Sequence, residues 1–128
     1  LEATNLATGR PACFVFYANR ILPRMSCCFT IYDQLGQAVT CFDSAICSQE
    51  DSVNSEDSVK FICKIDELLL IPGRYRINAS IMCDGEFEDD VKAAAFFEVE
   101  EGRIRDRAVL KSTGYGNVVI QHQWSIPI

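Results

Sequence analysis

The sequence predicts an all-β fold, an immunoglobulin-like antiparallel β-sandwich of two sheets, and three observations carry that prediction. The first is the stretch Glu67-Leu68-Leu69-Leu70-Ile71-Pro72-Gly73-Arg74-Tyr75, a leucine-rich bend closed by Pro-Gly, with an aromatic two residues on and an alternating strand after it. That is the form of the corner that carries such a sandwich from one sheet to the other, in which the tyrosine hydroxyl bonds back to backbone upstream and pins the crossover. The second is apolar alternation of period two, in short runs bounded by turn signals. The third is that no run sustains a helical period beyond a turn or two.

Seven candidate strands follow, at residues 12–18, 27–32, 38–42, 58–65, 74–82, 93–98 and 118–123. Asp33-Gln34-Leu35-Gly36 supplies a tight hairpin between the second and third, and Asp84-Gly85 another after the fifth. The polar residues 48–57 read as a long loop. Residues 100–117, polar and carrying Gly102, Gly114 and Gly116, read as a long connection to the last strand. Alternation assigns the faces: Tyr75, Ile77, Ala79 and Ile81 point inward and Arg74, Arg76, Asn78 and Ser80 outward, while Cys27, Phe29 and Ile31 oppose Cys28, Thr30 and Tyr32. Immunoglobulin-like order puts these two strands in one sheet. Their outward residues would then form one surface of tyrosine, hydroxyls, an amide and two guanidinium groups, although a polar outer face is also what an ordinary solvated sheet presents.

At 128 residues the chain is expected to be one domain, residues 1–128, able to bury roughly two thirds of its unfolded surface without a disulfide or metal. Its abrupt start at Leu1 reads as a piece of something longer. A net charge of −6 and twelve scattered Lys and Arg residues argue against a nucleic-acid or anionic-membrane surface. No apolar run approaches the roughly 18 residues of a membrane span, and no charged-then-apolar leader opens the chain.

The seven cysteines (Cys13, Cys27, Cys28, Cys41, Cys47, Cys63, Cys83) are odd in number, contain no Cys-x-x-Cys and lie far from the single histidine, His122. Most fall in apolar runs, where a reduced thiol behaves as a small hydrophobe; reduced, metal-free cysteines and a cytoplasmic protein are the expectation. Catalysis has little to stand on. There is no Gly-x-Ser-x-Gly elbow and no His-Glu-x-x-His, and His122 lacks an identifiable nucleophile to serve. A Gly-x-x-x-x-Gly-Lys-Ser/Thr loop is missing too, so no nucleotide hydrolysis and no cofactor are expected. The acidic cluster Glu86, Glu88, Asp89 and Asp90 lacks the spacing of a calcium loop and reads as solubilising a hairpin.

With the order of motifs on the page, the chain resembles the C-terminal carbohydrate-binding domain of the ATP-binding subunit of polysaccharide ABC transporters, the Wzt type that exports O-antigen. The resemblance runs from about Thr8 to the C-terminus and is carried by several motifs in sequence. These are Ile21-Leu22-Pro23, the run from Phe29-Thr30-Ile31-Tyr32 through Asp33-Gln34-Leu35-Gly36 to Val39, Leu70-Ile71-Pro72-Gly73-Arg74-Tyr75, Ala93-Ala94-Ala95-Phe96-Phe97-Glu98-Val99 and a final His122-Gln123-Trp124. It implies a two-sheet sandwich on the cytoplasmic side of the inner membrane. There it would bind the non-reducing end of a finished glycan and present it to a membrane transporter, the energy coming from a nucleotide-binding domain outside this sequence. It also implies a homodimer formed by exchange of the C-terminal strand. The chain departs from the family in its cysteine content and in a first strand truncated or missing at residues 1–7.

The physics of sugar recognition selects two sets of residues. A glycan end offers hydroxyls that want paired donors and acceptors, a ring face that stacks on an aromatic and, where it ends in phosphate or carboxylate, an anion suited to an arginine fork. Thr30, Tyr32, Arg74, Arg76 and Asn78 supply those groups on one expected face, and Gln121, His122, Gln123 and Trp124 supply them near the C-terminus. For Trp124 the alternative role is a hydrophobic plug at the sandwich end. The main rival to a glycan-binding domain is a structural or protein-interaction module that docks a partner by strand addition.

Overall fold

A computed structural model describes residues 6–18, 24–52, 60–84, 86–110 and 116–127, with the backbone alone for 86–94. The strands are β1 (Leu6–Ala7), β2 (Ala12–Tyr17), β3 (Met25–Tyr32), β4 (Ala38–Asp43), β5 (Lys60–Ile65), β6 (Gly73–Cys83), β7 (Glu86–Glu100), β8 (Arg103–Ile104) and β9 (Arg107–Ala108). They build a five-stranded sheet in the order β1-β7-β6-β3-β4, a two-stranded sheet β2-β5 and a small β8-β9 hairpin. The all-β sandwich expected from the alternation is what the chain forms. One pairing is parallel, β1 on β7, and the rest of the large sheet is antiparallel.

The core lies between the two larger sheets and is aromatic. Phe14 of β2, fully buried, places its ring 5.6 Å from Phe29 of β3 and 5.4 Å from Phe97 of β7. Phe16 meets Phe29 at 4.7 Å, and Phe29 stacks on Phe42 of β4 at 4.7 Å. Cys27, Ile31, Ile77, Ala79 and Ile81 complete the inner face of the large sheet, as the alternation required. Burying side chains of this size stabilises the fold by about 1.5–3 kcal/mol each.

The corner behaves as its sequence suggests. The Tyr75 hydroxyl donates to the Ile71 carbonyl at 2.6 Å, its ring stacks on Phe97 at 5.6 Å, and burial, followed by the charge of Asp33, pushes its pKa up to about 12. The Asp33 hairpin is also as read: Gly36, at φ 81°, closes onto the Asp33 carbonyl at 3.1 Å. Asp84, at φ 54°, lies at the bend between β6 and β7.

Upstream of the corner a clasp of backbone holds three segments together. Thr8, fully buried, donates its hydroxyl to the Leu70 carbonyl at 2.6 Å and its amide to the Glu100 carbonyl at 3.1 Å. Gly9 donates to the Leu68 carbonyl at 2.8 Å, and the Leu68 amide donates to the Arg10 carbonyl at 2.9 Å. The fit is close: a Cβ on Gly102 would lie 1.9 Å from the Thr8 carbonyl oxygen, and one on Gly9 would lie 2.3 Å from that of Arg103.

Several sequence expectations are corrected. Residues 118–123 form no strand; a single antiparallel bridge joins Val118 to Leu70, with Ile71 donating to Asn117 and Val119 to Leu69. The bridge rests on the Leu69 carbonyl and the Ile71 amide, and the chain it meets then turns away, Gly73 pairing with Val99 of β7, so the ladder cannot run on past the corner. The strand expected at 93–98 is the end of a longer one, β7. Residues 100–117 are not a plain connection, because β8 and β9 pair across a turn whose two residues, Arg105 and Asp106, both have positive φ (48° and 70°), the geometry of a tight hairpin. Arg103 caps that turn, its Nε and Nη2 donating to the Asp106 carbonyl at 3.2 and 2.7 Å. Of the first strand expected to be truncated, Leu6 and Ala7 pair with Val99 and Glu100. The Ile21-Leu22-Pro23 motif, the loop residues 53–57, the strand start at 58–59 and the side chains of the acidic cluster lie outside the described residues.

Candidate functional site

Antiparallel register brings the first candidate set together. Thr30 lies opposite Asn78 and Tyr32 opposite Arg76, all on the outer face of the large sheet, because their chain neighbours Phe29, Ile31, Ile77 and Ala79 are drawn into the core. The Arg76 guanidinium sits over the Tyr32 ring, 4.5 Å from its centroid. On the next strand Phe96 lies opposite Arg76 and Glu98 opposite Arg74, and the Arg74 guanidinium covers Phe96 at 4.8 Å. Arg76 is thus flanked on one rung by two aromatic residues, Tyr32 and Phe96. Among the described residues no carboxylate pairs with either guanidinium. Next to this rung, between Ile77 and Ala79, the β6-β7 register shifts, and Asn78 sits at that irregularity. Such bulges re-aim side chains and recur beside binding sites.

Phe96 was not among the residues selected from sequence. It is 57% exposed while Phe97 is buried. Two consecutive phenylalanines on a strand of period two cannot both face the core, and that signal marks one of them as an outer-face aromatic. The surface therefore offers two aromatic rings, two planar cations, an amide and a hydroxyl within three neighbouring strands. This set can stack on a sugar ring, bond vicinal hydroxyls and fork an anion. Arginine stacked on an aromatic keeps its hydrogen-bonding plane free, and contacts of this kind contribute roughly 0.5–1 kcal/mol at exposed sites.

The second candidate set lies elsewhere, on the extended segment after Val118. Gln121, His122 and Trp124 are all exposed, and Trp124, at 72%, plugs nothing within the single chain. The His122 Nδ1 is 2.7 Å from the Ile120 carbonyl, and Arg107 Nη2 donates to the His122 carbonyl at 3.2 Å. The rings of His122 and Trp124 stand edge to face, 6.1 Å apart. Beneath this segment a cleft of about 430 Å³ is lined by Ile71, Val109, Leu110, Val119 and His122 among others. Val118, Ile120 and Ile126 are also exposed, so most of the segment's apolar side chains are uncovered.

Asp33 anchors the start of that segment. Its Oδ1 accepts from the Leu35 and Gln37 amides at 2.9 Å each, and its Oδ2 accepts from Asn117 Nδ2 at 2.9 Å. The Gln37 amide above all, with Asn117 and Leu35, holds the carboxyl below its ordinary range. A group with a depressed folded pKa stabilises the native state above its unfolded value, about 3.9 for aspartate, and loses that contribution as pH falls through the folded pKa. Acidification below about pH 4 is therefore expected to release Asn117 from Asp33. The Asn117 side-chain amide signals in a ¹H–¹⁵N spectrum should move toward random-coil positions in that range, and signals unchanged through the acid titration would refute the anchor.

A family model described as the Wzt C-terminal domain matches residues 2–116. No curated protein gives a significant match to the chain.

Proposed function

The chain belongs to the Wzt C-terminal domain family, and from that premise we propose that it is the carbohydrate-binding domain of the ATP-binding subunit of a polysaccharide ABC exporter. In this reading residues 1–128 are one non-catalytic domain of a longer subunit, working at the cytoplasmic face of the inner membrane. It recognises the non-reducing terminus of an O-antigen polysaccharide and so selects what the membrane transporter exports. The observation that carries the reading is the rung Phe96, Arg76, Tyr32, with Arg74 stacked on Phe96 and the Thr30–Asn78 rung alongside. This outer sheet face sets two arginines against two rings beside an amide and a hydroxyl, and a glycan end requires that mixture. Titration of the domain with the source organism's O-polysaccharide, before and after exoglycosidase trimming of the non-reducing end, tests it. Binding should be lost on trimming; equal affinity for trimmed chains would overturn terminal recognition.

We further infer a homodimer formed by exchange of the C-terminal segment. Val118, Ile120, Trp124 and Ile126 are exposed on a stretch whose own ladder stops after one bridge, and a partner's sandwich edge would supply the backbone groups that the chain's own cannot. Each aliphatic side chain covered this way contributes about 1.5–3 kcal/mol, enough in sum for a stable dimer. Gln121, His122 and Trp124 would then approach the partner's glycan face. Light scattering should find the intact domain dimeric and a version ending at Gly116 monomeric; a monomeric intact domain would sink the exchange.

A further inference from the structure

Apart from the ligand-binding groups, the outer face of the large sheet carries two thiols in contact. Cys28 of β3 and Cys41 of β4 point to the same side as Thr30, and their Sγ atoms are 3.6 Å apart. The register explains the approach. Cys28 lies opposite Asp43 and Thr30 opposite Cys41, so the two cysteines are diagonal neighbours across an antiparallel pair, and the right-handed twist of the strands draws such diagonals toward each other. Cys27, next in the chain, is buried in the core and takes no part.

We propose that Cys28 and Cys41 are a reversible thiol–disulfide pair, closed by low-molecular-weight disulfides and reopened by thiols. Cys41 is exposed and Cys28 half-buried, so the two have different parts in the reaction. The Cys41 sulfur, losing its proton, attacks the small disulfide RSSR, forms a Cys41–SR bond and releases one RSH. Cys28 then attacks the Cys41 sulfur, the Cys41–SR bond breaks, and a second RSH leaves with the Cys28 proton. In sum two protein thiols and one RSSR give one protein disulfide and two RSH, the protein oxidised by two electrons and the small disulfide reduced by two. Burial above all, with the Cys41 contact next, pushes the Cys28 thiol up to about 11, which suits it to act second, within the mixed disulfide, rather than to meet the oxidant first.

Closure would tie β4, an edge strand of the large sheet, to β3 beside the Thr30–Asn78 rung. Cytosolic disulfides are characteristically transient and redox-sensing, so a pair that rests reduced and closes under oxidant fits the compartment proposed above.

Incubating the reduced protein at low concentration with oxidised glutathione, blocking the remaining thiols and mapping peptides by mass spectrometry tests the proposal. A cross-linked peptide pair joining Cys28 to Cys41, lost on adding dithiothreitol, is expected. In Cys28→Ser the resolving step is gone, and Cys41 should instead carry a stable glutathione adduct. Cys28 and Cys41 both remaining free for alkylation in the wild type, or Cys41 joined to any other cysteine, would overturn it. That failure would leave the glycan reading untouched, since no step of the latter involves sulfur.

Discussion

Replacing Gly102 by alanine is expected to remove about 3–5 kcal/mol of stability, a large share of the roughly 5–15 kcal/mol that holds a domain folded. The new Cβ would lie 1.9 Å from the Thr8 carbonyl oxygen, 2.9 Å from its carbon and 3.2 Å from its nitrogen, and all three are backbone atoms that no rotamer change can move aside. Overpacking of this kind costs roughly 1–3 kcal/mol by itself. Moving Thr8 also breaks the hydroxyl bond to Leu70 and the amide bond to Glu100, leaving buried polar groups unsatisfied at about 1–3 kcal/mol. Gly36→Ala is the control, because that glycine has a positive φ of 81° but nothing within 4 Å of a Cβ, so only the backbone conformation, about 1–2 kcal/mol, is at stake. Urea denaturation of the two variants should show a much larger midpoint shift for Gly102→Ala. Equal shifts would mean that the clasp contributes little.

Arg76→Ala should weaken binding of the polysaccharide terminus by about 1.5–3 kcal/mol, a 10- to 150-fold rise in Kd, when the terminator is anionic. Arg76 is the centre of the proposed face, with Tyr32 under its guanidinium and Phe96 opposite it on the same rung. Arg76→Lys should not restore affinity, since an ammonium group cannot both stack on the ring and present a planar fork. The fold should survive, because the side chain lies on the outer face and its ring contact is worth only about 0.5–1 kcal/mol. Calorimetric titration of folded Arg76→Ala at wild-type affinity would remove this face from the reading and leave the segment around His122 and Trp124 as the candidate.

What could be read from sequence was whatever depends on neighbours in the chain. The alternation of β3 and β6 assigned every inward residue, and the Pro-Gly corner foretold the Tyr75 bond to Ile71 because both partners lie within four residues. Thr30, Tyr32, Arg74, Arg76 and Asn78 could be grouped because each strand's outer row follows once its apolar row is known. Other features depend on partners far along the chain. Residues 118–123 alternate like a strand, yet only the three-dimensional arrangement reveals that the stretch they meet, Leu69 to Ile71, turns away into β6 at Gly73. Leu6 and Ala7 are too few to show a period. Phe96 was hidden by its neighbour, since an apolar pair reads as core until the strand's phase is fixed. The contact of Cys28 with Cys41 depends on the register of β3 against β4, which the Asp33 turn sets and alternation alone does not.

The parallel pairing of Leu6 and Ala7 with Val99 and Glu100 bears on how the domain is made as well as on how it is held. A ribosome delivers Leu6 well before Val99, at about 5–20 residues per second, so for several seconds β1 has no acceptor. During that interval β2, β3, β4 and β5 can already pair, because their partners emerge within a few dozen residues of one another. The clasp around Thr8 and Gly102 closes only after that interval, over a long loop, and loop closure of that span is a slow step for any β-rich topology. Until Glu100 emerges, Leu6 and Ala7 therefore wait without the strand they pair with, while β3 and β4 are already joined.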